Sequence, residues 1–108
     1  MFYALNLFDL KDEEVYRRYM RTAGPIVEEL GGSLVVMGRL TDEVPVKFPG
    51  TTLGGGQRWL VIATYKTQED VQRFWDHPRN QENKHLREQG TTNYTWALYE
   101  EADVMKVS

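Results

Sequence analysis

The chain has 108 residues, a formal net charge of −3 and no cysteine. An acidic chain of this length is one domain, residues 1–108, and its scattered Lys and Arg do not supply the basic face that nucleic-acid binding needs. Without cysteine there is no disulfide, thiolate metal site or cysteine nucleophile. No stretch resembles a signal peptide or a membrane span, so we expect a cytoplasmic protein without a membrane partner.

The first part of the chain predicts strand, helix and strand. Phe2 to Asp9 is the first predicted strand, and acidic residues after it suit the start of a helix. Apolar residues recur at helical spacing from Val15 to Leu30, and Gly31-Gly32 is typical of a helix end. Pro25 lies inside this stripe and predicts a kink or a tighter turn there. Ser33 to Leu40 is the second predicted strand.

A long segment without apolar periodicity, Thr41 to Gln57, follows the second strand. A loop of this length in a small domain is often functional, and this one could arch over a pocket or clasp a second subunit. An ordinary hairpin connection is the alternative interpretation. Arg58 to Lys66 then forms the third predicted strand.

The last part of the chain predicts a second helical region and a fourth strand. Thr67 to Asp70 has the pattern of an N-cap with an acidic residue at the third helical position. His77-Pro78 should interrupt the helix that follows. A turn is expected at Gly90-Thr91-Thr92, and Asn93 to Glu101 alternates as a strand.

The order β-α-β-β-α-β predicts an α+β, ferredoxin-like fold, in which a four-stranded antiparallel sheet carries two helices on one face. Phe2–Phe8, Leu34–Met37 and Trp59–Ala63 are continuous apolar runs, which are typical of strands that are buried on both faces. Two helices cover only one face. The second face therefore predicts a homodimer.

Diffuse motifs along nearly the whole chain resemble those of the dimeric α/β-barrel superfamily. They are Tyr16-x-x-Tyr19, Gly31-Gly32, Tyr65-Lys66-Thr67-x-Glu69-Asp70-Val71-x-x-Phe74 and His77-Pro78, and they look closest to a branch near the antibiotic-biosynthesis monooxygenases and the EthD-like proteins. The resemblance implies two sheets paired into a barrel, with a ligand cavity between each sheet and its own helices. Activities there range from cofactor-free oxygenation, haem breakdown and polyketide cyclisation to no known chemistry, so the fold does not define the function.

Alternation along the strands divides their residues between two faces. We assign one set, which mixes small and polar residues, to the helix side, and a bulkier apolar set to the dimer interface. The first set is Ala4, Asn6, Trp59, Ala63, Tyr65, Thr95 and Ala97, and the second is Leu5, Leu7, Leu60, Ile62, Tyr94, Trp96 and Leu98.

Asn6, Tyr65 and His85 are the candidate catalytic residues, with Asn6 or Tyr65 polarising an oxygen and His85 moving a proton. Each has an ordinary alternative: an amide satisfying buried backbone, a core ring and a solvated surface side chain. The candidate ligand-binding residues are Tyr19, Arg39, Trp59, Thr95 and Arg87.

Metal and cofactor chemistry find little support in the sequence. Two histidines without cysteine, and without His-x-x-x-His spacing, predict no metal site, and we expect no cofactor. The haem-degrading relatives implied by the resemblance use an asparagine, a tryptophan and a histidine. Asn6 matches the first, but Tyr65 and Lys84 stand at the other two positions, with His85 one residue out of register.

The sequence therefore predicts a homodimer that binds an unknown small molecule, aromatic or polyketide-like, between sheet and helices. Cofactor-free acid/base or oxygenation chemistry is one possible activity. The alternative is a non-catalytic metabolite-binding or structural dimer, and a haem-binding or haem-degrading protein is a minor alternative.

Overall fold

The computed structural model describes residues 1–42, 49 and 56–103. Its elements are β1 (Phe2–Leu10), α1 (Glu13–Glu29), β2 (Ser33–Arg39), β3 (Trp59–Tyr65), α2 (Gln68–Asp76), α3 (Pro78–Gly90) and β4 (Thr91–Glu100). The strands form one antiparallel sheet in the order β2-β3-β1-β4, which confirms the predicted α+β architecture. Most of the predicted loop Thr41–Gln57, and residues 104–108, lie outside the described residues.

Capping side chains and glycine define the ends of α1. Asp12 accepts a hydrogen bond from the Val15 amide at 3.2 Å, as an N-cap does. At the other end the amides of Gly31 and Gly32 donate to the carbonyls of Glu28 and Val27, at 2.9 and 3.0 Å. Gly31 has φ +82°, a conformation that favours glycine. The predicted helix end is therefore confirmed.

The second helical region is two helices, so the sheet carries three helices in total. Thr67 caps α2 by accepting from the Asp70 amide at 3.1 Å, as predicted. His77 is extended, with ψ 130°, and Pro78 opens α3, which confirms the expected interruption. α1, in contrast, continues as an α-helix through Pro25, where the sequence predicted a kink or a tighter turn.

The predicted turn at Gly90-Thr91-Thr92 is wrong, because β4 begins at Thr91, directly after α3. The Gly90 carbonyl accepts from the amides of Lys11 and Asp12, at 2.8 and 3.1 Å, and Thr91 pairs with Leu10 across the sheet. A Cβ on Gly90 would lie 2.9 Å from the Tyr16 amide nitrogen. Glycine permits this close approach of α3 to α1 at the point where α3 passes directly into β4.

The predicted face assignment is confirmed for β1 and β3 and wrong for β4. Asn6 lies opposite Val61 on one side and opposite Trp96 on the other, so Trp96 shares the helix side of the sheet with Asn6. Tyr94 and Leu98 follow the same alternation and pack against the buried core. Thr95 and Ala97 therefore face the open side, which was the side predicted for Tyr94, Trp96 and Leu98.

The hydrophobic core lies between the sheet and the helices. Phe8 is fully buried, stacks on Tyr94 at 5.2 Å between ring centroids and contacts Tyr16 at 4.9 Å. A second cluster joins Ala4, Val27, Ala63 and Tyr65. The opposite face of the sheet carries Tyr3, Leu5, Leu7, Leu60 and Ile62, and no layer of the described chain covers it.

Candidate functional site

A cavity of about 390 Å³ lies between the sheet and the helices. Small residues on the sheet, Ala4 and Ala63, leave this space, and α1 contributes Ala23 to its wall. Two lining tryptophans are partly exposed, Trp75 by 42% and Trp96 by 48%, so the cavity opens to solvent beside them. The rest of the lining is Asn6, Tyr16, Tyr19, Met20, Val27, Leu34, Val61, Tyr65, Val71, Gln72, Phe74, Arg87 and Tyr94.

Four tyrosines contribute most of the polar groups of this cavity. Tyr16 and Tyr19 lie three residues apart on α1 and therefore share one helix face, while Tyr65 ends β3 and Tyr94 comes from β4. The Tyr94 hydroxyl donates to Asn6 Oδ1 at 2.6 Å. The other three residues are at least nine-tenths buried, and within residues 1–42 and 56–103 their hydroxyls make no hydrogen bond.

Burial raises the pKa of all four phenols above the ordinary tyrosine value. The positive charge of Arg87 opposes this rise in pKa for Tyr16, Tyr19 and Tyr94, but it does not cancel the effect of burial. The hydroxyls therefore keep their protons at neutral pH. They act as hydrogen-bond donors and neutral acceptors, and none of them serves as a base.

Arg87 is the only charged residue among the described residues that line the cavity. It lies in the last turn of α3, half-buried, with its guanidinium carbon 4.8 Å from the Tyr94 ring centroid and 6.0 Å from that of Trp75. Among the described residues no carboxylate pairs with it. The cavity is therefore lined by one cation, neutral polar groups and apolar surface.

The Asn6 amide is already occupied by the protein. Its Nδ2 donates to the carbonyls of Ala4 and Val61, at 3.3 and 3.2 Å, and its Oδ1 accepts from Tyr94. An amide nitrogen has two hydrogens, so no donor remains for a ligand. This geometry matches the alternative in which Asn6 satisfies buried polar groups, and it makes Asn6 the residue that orients the Tyr94 hydroxyl.

The structure brings four of the predicted site residues together at the cavity, namely Asn6, Tyr65, Tyr19 and Arg87. His85 is exposed on α3 and does not line it. The prediction that His85 shares one cavity with Asn6 and Tyr65 is therefore wrong in its geometry. His85 and Arg87 are two positions apart on α3, about 200° around the helix axis, so their side chains point to different sides of the helix.

The remaining three predicted ligand-binding residues lie outside the cavity lining. Arg39 is exposed at the end of edge strand β2, and Trp59 packs beside the Phe8 cluster. Thr95 faces the open side of the sheet, and its hydroxyl accepts from Gln57 Nε2 at 2.7 Å. The different placement of Thr95 follows from the wrong face assignment of β4.

Sequence reasoning missed several residues of the cavity. Tyr16 carries a usable signal, because a residue three positions before Tyr19 lies on the same helix face. Tyr94 and Trp96 could be placed at the cavity only once the register of β4 against β1 was known. Trp75 also carries a usable signal, because Val71, Phe74 and Trp75 stand at helical spacing on one face of α2, whereas Gln72 lies beside this stripe and has no such signal.

The cavity does not fit a haem held by histidine. Neither of the two histidines lines it, and Lys84 lies over the Trp75 ring, with its Nζ 5.4 Å from the ring centroid. The lining tyrosines are held in their neutral form, which is a poor ligand for iron. Among the described residues, His, Asp and Glu form no group of three that could hold a metal ion.

No helix in the described part of the chain is long and apolar enough to cross a membrane.

Solved structures with the same fold include proteins with and without a known activity. A protein of unknown function from Rhodopseudomonas palustris superposes with a TM-score of 0.75 at 21% identity, over 94% of this chain and 82% of that one. SnoaB, a cofactor-independent oxygenase from Streptomyces nogalater, superposes with a TM-score of 0.63 at 9% identity, over 98% of this chain and 97% of that one. A dimeric ferredoxin-like protein of unknown function from Thermobifida fusca superposes with a TM-score of 0.57 at 10% identity, over 91% of this chain and 88% of that one.

These superpositions establish a shared ferredoxin-like fold. No curated protein sequence matches the chain. The assignment to a branch near the antibiotic-biosynthesis monooxygenases and the EthD-like proteins stays a prediction. A family model described as a domain of unknown function, DUF1330, matches residues 1–100. The chain therefore belongs to the DUF1330 family.

Proposed function

We propose that this protein binds a small aromatic or polyketide-like metabolite in the cavity between sheet and helices. One observation carries the proposal: the 390 Å³ cavity is lined by three phenols, Tyr16, Tyr19 and Tyr65, whose hydroxyls have no hydrogen-bond partner among the described residues. These hydroxyl oxygens reach accessible space, because Asn80 Oδ1 is the one fully buried side-chain oxygen or nitrogen without a partner in that part of the chain. A ligand with polar atoms on a flat apolar body would fill the cavity and accept their hydrogen bonds.

Aromatic side chains favour a flat, conjugated ligand. Tyr65 and Phe74 meet edge to face, with centroids 6.1 Å apart, and Trp75 and Trp96 border the opening. Rings of this kind offer stacking and edge contacts to another ring. Small-molecule sites are commonly mostly apolar, with a few polar groups that orient the ligand.

Cofactor-free acid/base or oxygenation chemistry is the catalytic form of this proposal. The phenols and Arg87 can donate hydrogen bonds to an oxygen on which negative charge develops, such as that of an enolate. In this form Tyr65 polarises a substrate oxygen, and Asn6 acts through Tyr94. The likeness to SnoaB adds only that this fold supports such chemistry in another protein.

A non-catalytic metabolite-binding dimer is the second candidate, and the composition of the lining favours it. No histidine, aspartate or glutamate of residues 1–42 and 56–103 lines the cavity, so these residues supply no general base of ordinary pKa to its walls. Any proton removed from a substrate would have to pass to solvent or to a group from another subunit. Binding is therefore the part of the proposal that the geometry supports best.

The open face of the sheet supports the proposed homodimer. Leu5, Leu7, Leu60 and Ile62 form a continuous apolar surface there, of a kind that a monomer rarely exposes. The Thermobifida fusca protein with this fold is described as dimeric. Two copies packed face to face would bury both surfaces in a self-complementary interface.

A thermal-shift screen of aromatic and polyketide-like metabolites tests the binding proposal. Compounds that bind should raise the melting temperature of the wild type and of an Ala102→Phe control, because Ala102 is exposed outside the cavity. Ala23→Phe places a ring in the cavity wall and should abolish the shift. Equal shifts in the Ala23→Phe protein would contradict binding in this cavity.

Catalysis is tested separately from binding. Each compound that binds is incubated in air with the protein, and oxygen uptake and product are followed. Turnover that is lost in Tyr65→Phe, at unchanged affinity for the compound, would support the oxygenation form. Binding without turnover of any compound would support the metabolite-binding alternative.

A further inference from the structure

We infer that the ligand of this cavity carries a negatively charged oxygen, and that Arg87, Tyr16 and Tyr19 form the subsite that holds it. The inference rests on the proposed function, because it names the chemical class of the ligand for the same cavity. The class is a small aromatic or conjugated acid, with a carboxylate or an enolate-type oxygen on a planar body.

The charge of the lining is the first observation. Although Asp and Glu outnumber Lys and Arg in the chain by 16 to 13, the described residues that line the cavity include one guanidinium and no carboxylate. Nearby arginines on α2 and α3 have partners: Arg73 pairs with Asp70 at 2.8 Å and Arg79 with Glu29 at 2.9 Å. Arg87 has no such partner among the described residues. A half-buried cation without a counter-ion favours an anionic ligand.

The orientation of Arg87 is the second observation. Its guanidinium lies over the Tyr94 ring, at 4.8 Å from the centroid, and Asn6 holds the Tyr94 hydroxyl at 2.6 Å. A guanidinium carries five N–H donors, so its interaction with Tyr94 leaves several of them for other partners. Two of these donors can pair with both oxygens of a carboxylate.

The phenols are the third observation. Tyr16 and Tyr19 are each 93% buried and line the cavity, and their hydroxyls have no hydrogen bond within the described chain. Ring contacts connect these groups: the Tyr16 ring centroid lies 6.0 Å from that of Tyr19 and 4.9 Å from that of Phe8, and Phe8 stacks on Tyr94, over which Arg87 lies. The charge of Arg87 acts to lower the pKa of both phenols, which agrees with this placement. Two neutral donors beside one cation form a set that suits an anionic oxygen and disfavours an ammonium group.

Two pairs of probes that differ only in charge test the inference: 1-naphthoate with 1-naphthamide, and benzoate with benzamide. Dissociation constants are measured by calorimetry and by quenching of tryptophan fluorescence. Each acid should bind the wild type about tenfold or more tightly than its amide, because hydrogen bonds between charged partners are about twice as strong as neutral ones.

Variants at the subsite should remove this preference selectively. Arg87→Met should weaken binding of the acids by about tenfold or more and leave the amides within about twofold. Arg87→Lys should keep part of the preference. Arg17→Met is the matched control, because Arg17 lies on the exposed side of α1, paired with Glu13 at 2.6 Å, and should change neither class.

Tyr16→Phe and Tyr19→Phe keep the test decisive if Arg87→Met fails to fold, since each removes a single hydroxyl. Each should weaken the acid more than the amide. Equal affinity of acid and amide for the wild type would overturn the anion subsite and leave the proposed binding function standing. If neither member of either pair binds at millimolar concentration, both the inference and the proposed function fail.

Discussion

The two faces of this sheet are built from the same strands but differ in what they leave unsatisfied. On the helix side, Ala4 and Asn6 line a cavity, and tyrosine hydroxyls that face it have no hydrogen-bond partner within the described residues. On the open side, Leu5 and Leu7 present aliphatic surface without a covering layer. Strands that are apolar on both faces can therefore line a ligand cavity on one face and offer a protein-binding surface on the other.

Residue size explains much of this difference. The small side chains of Ala4 and Ala63 on the helix side leave a space between the sheet and the helices. Large aliphatic residues on the open side form an even surface. The comparison predicts that changes on the two faces have separable consequences, for folding and ligand binding on one side and for association on the other.

The largest expected effect is on the helix side, at Phe8. Its side chain is fully buried between Tyr16 and Tyr94, so Phe8→Ala should lower the free energy of unfolding by about 3 to 5 kcal/mol. Phe8→Leu keeps most of the volume and should cost less than about 1.5 kcal/mol. Denaturant titration measures both. Equal, small losses for the two variants would mean that Phe8 does not anchor this core.

Leu60→Asp tests the open side. Leu60 faces away from the helices and is only partly buried in the single chain, so the fold should survive while an unpaired charge enters the proposed interface. We expect light scattering to show a monomer where the wild type is a dimer, with unchanged circular dichroism. Leu60→Ile is the control and should remain dimeric. A dimer that persists in Leu60→Asp would place the interface elsewhere.

Alkaline pH should act on the helix side. Burial raises the pKa of Tyr16, Tyr65 and Tyr94 in the folded state, so the stabilisation from keeping them neutral is complete below pH of about 10, the unfolded value. It decreases as the pH rises above that value, because the unfolded chain then loses protons that the folded chain keeps. Tyr16→Phe should flatten this decrease in the free energy of unfolding. An identical slope in the variant would contradict the burial of that hydroxyl.

The smallest expected effect is at the cap of α2, which carries Phe74 and Trp75 to the cavity. Thr67→Ala removes the acceptor for the Asp70 amide and should cost about 1 kcal/mol of unfolding free energy. Thr67→Ser keeps the hydroxyl and should change stability little. Both proteins should dimerise like the wild type, because the cap lies on the helix side. A change in association would show that the two faces are coupled.

The sequence predicted the architecture well because apolar periodicity and caps are local signals. The faces of β1 and β3 followed from alternation alone. The face of β4 did not, because its register depends on a bulge in β4 and on the direct joining of Gly90 to Thr91. Three steps along β4, from Thr92 to Thr95, lie opposite two steps along β1, and Asn93 has φ 53° there. The extra residue reverses the alternation beyond it, and the apolar pattern of β4 does not mark its position.

The candidate site was predicted only in part for a similar reason. Tyr19, Tyr65, Asn6 and Arg87 were found by residue type and strand alternation. His85 was misplaced because α3 has little apolar periodicity, so the sequence does not define which side of the helix faces the core. That phase is defined by the start of the helix at Pro78 and by packing against α1.

Fluorine NMR of protein labelled with 3-fluorotyrosine tests the division between the two faces most directly, because the six tyrosines are shared between them. Tyr16, Tyr19, Tyr65 and Tyr94 line the cavity, whereas Tyr3 and Tyr99 lie on the open side. Tyrosine-to-phenylalanine variants assign the six signals. We predict that 1-naphthoate shifts the cavity signals and that dilution shifts those of Tyr3 and Tyr99. If 1-naphthoate shifts only Tyr3 and Tyr99, the ligand binds the open face and the account is contradicted.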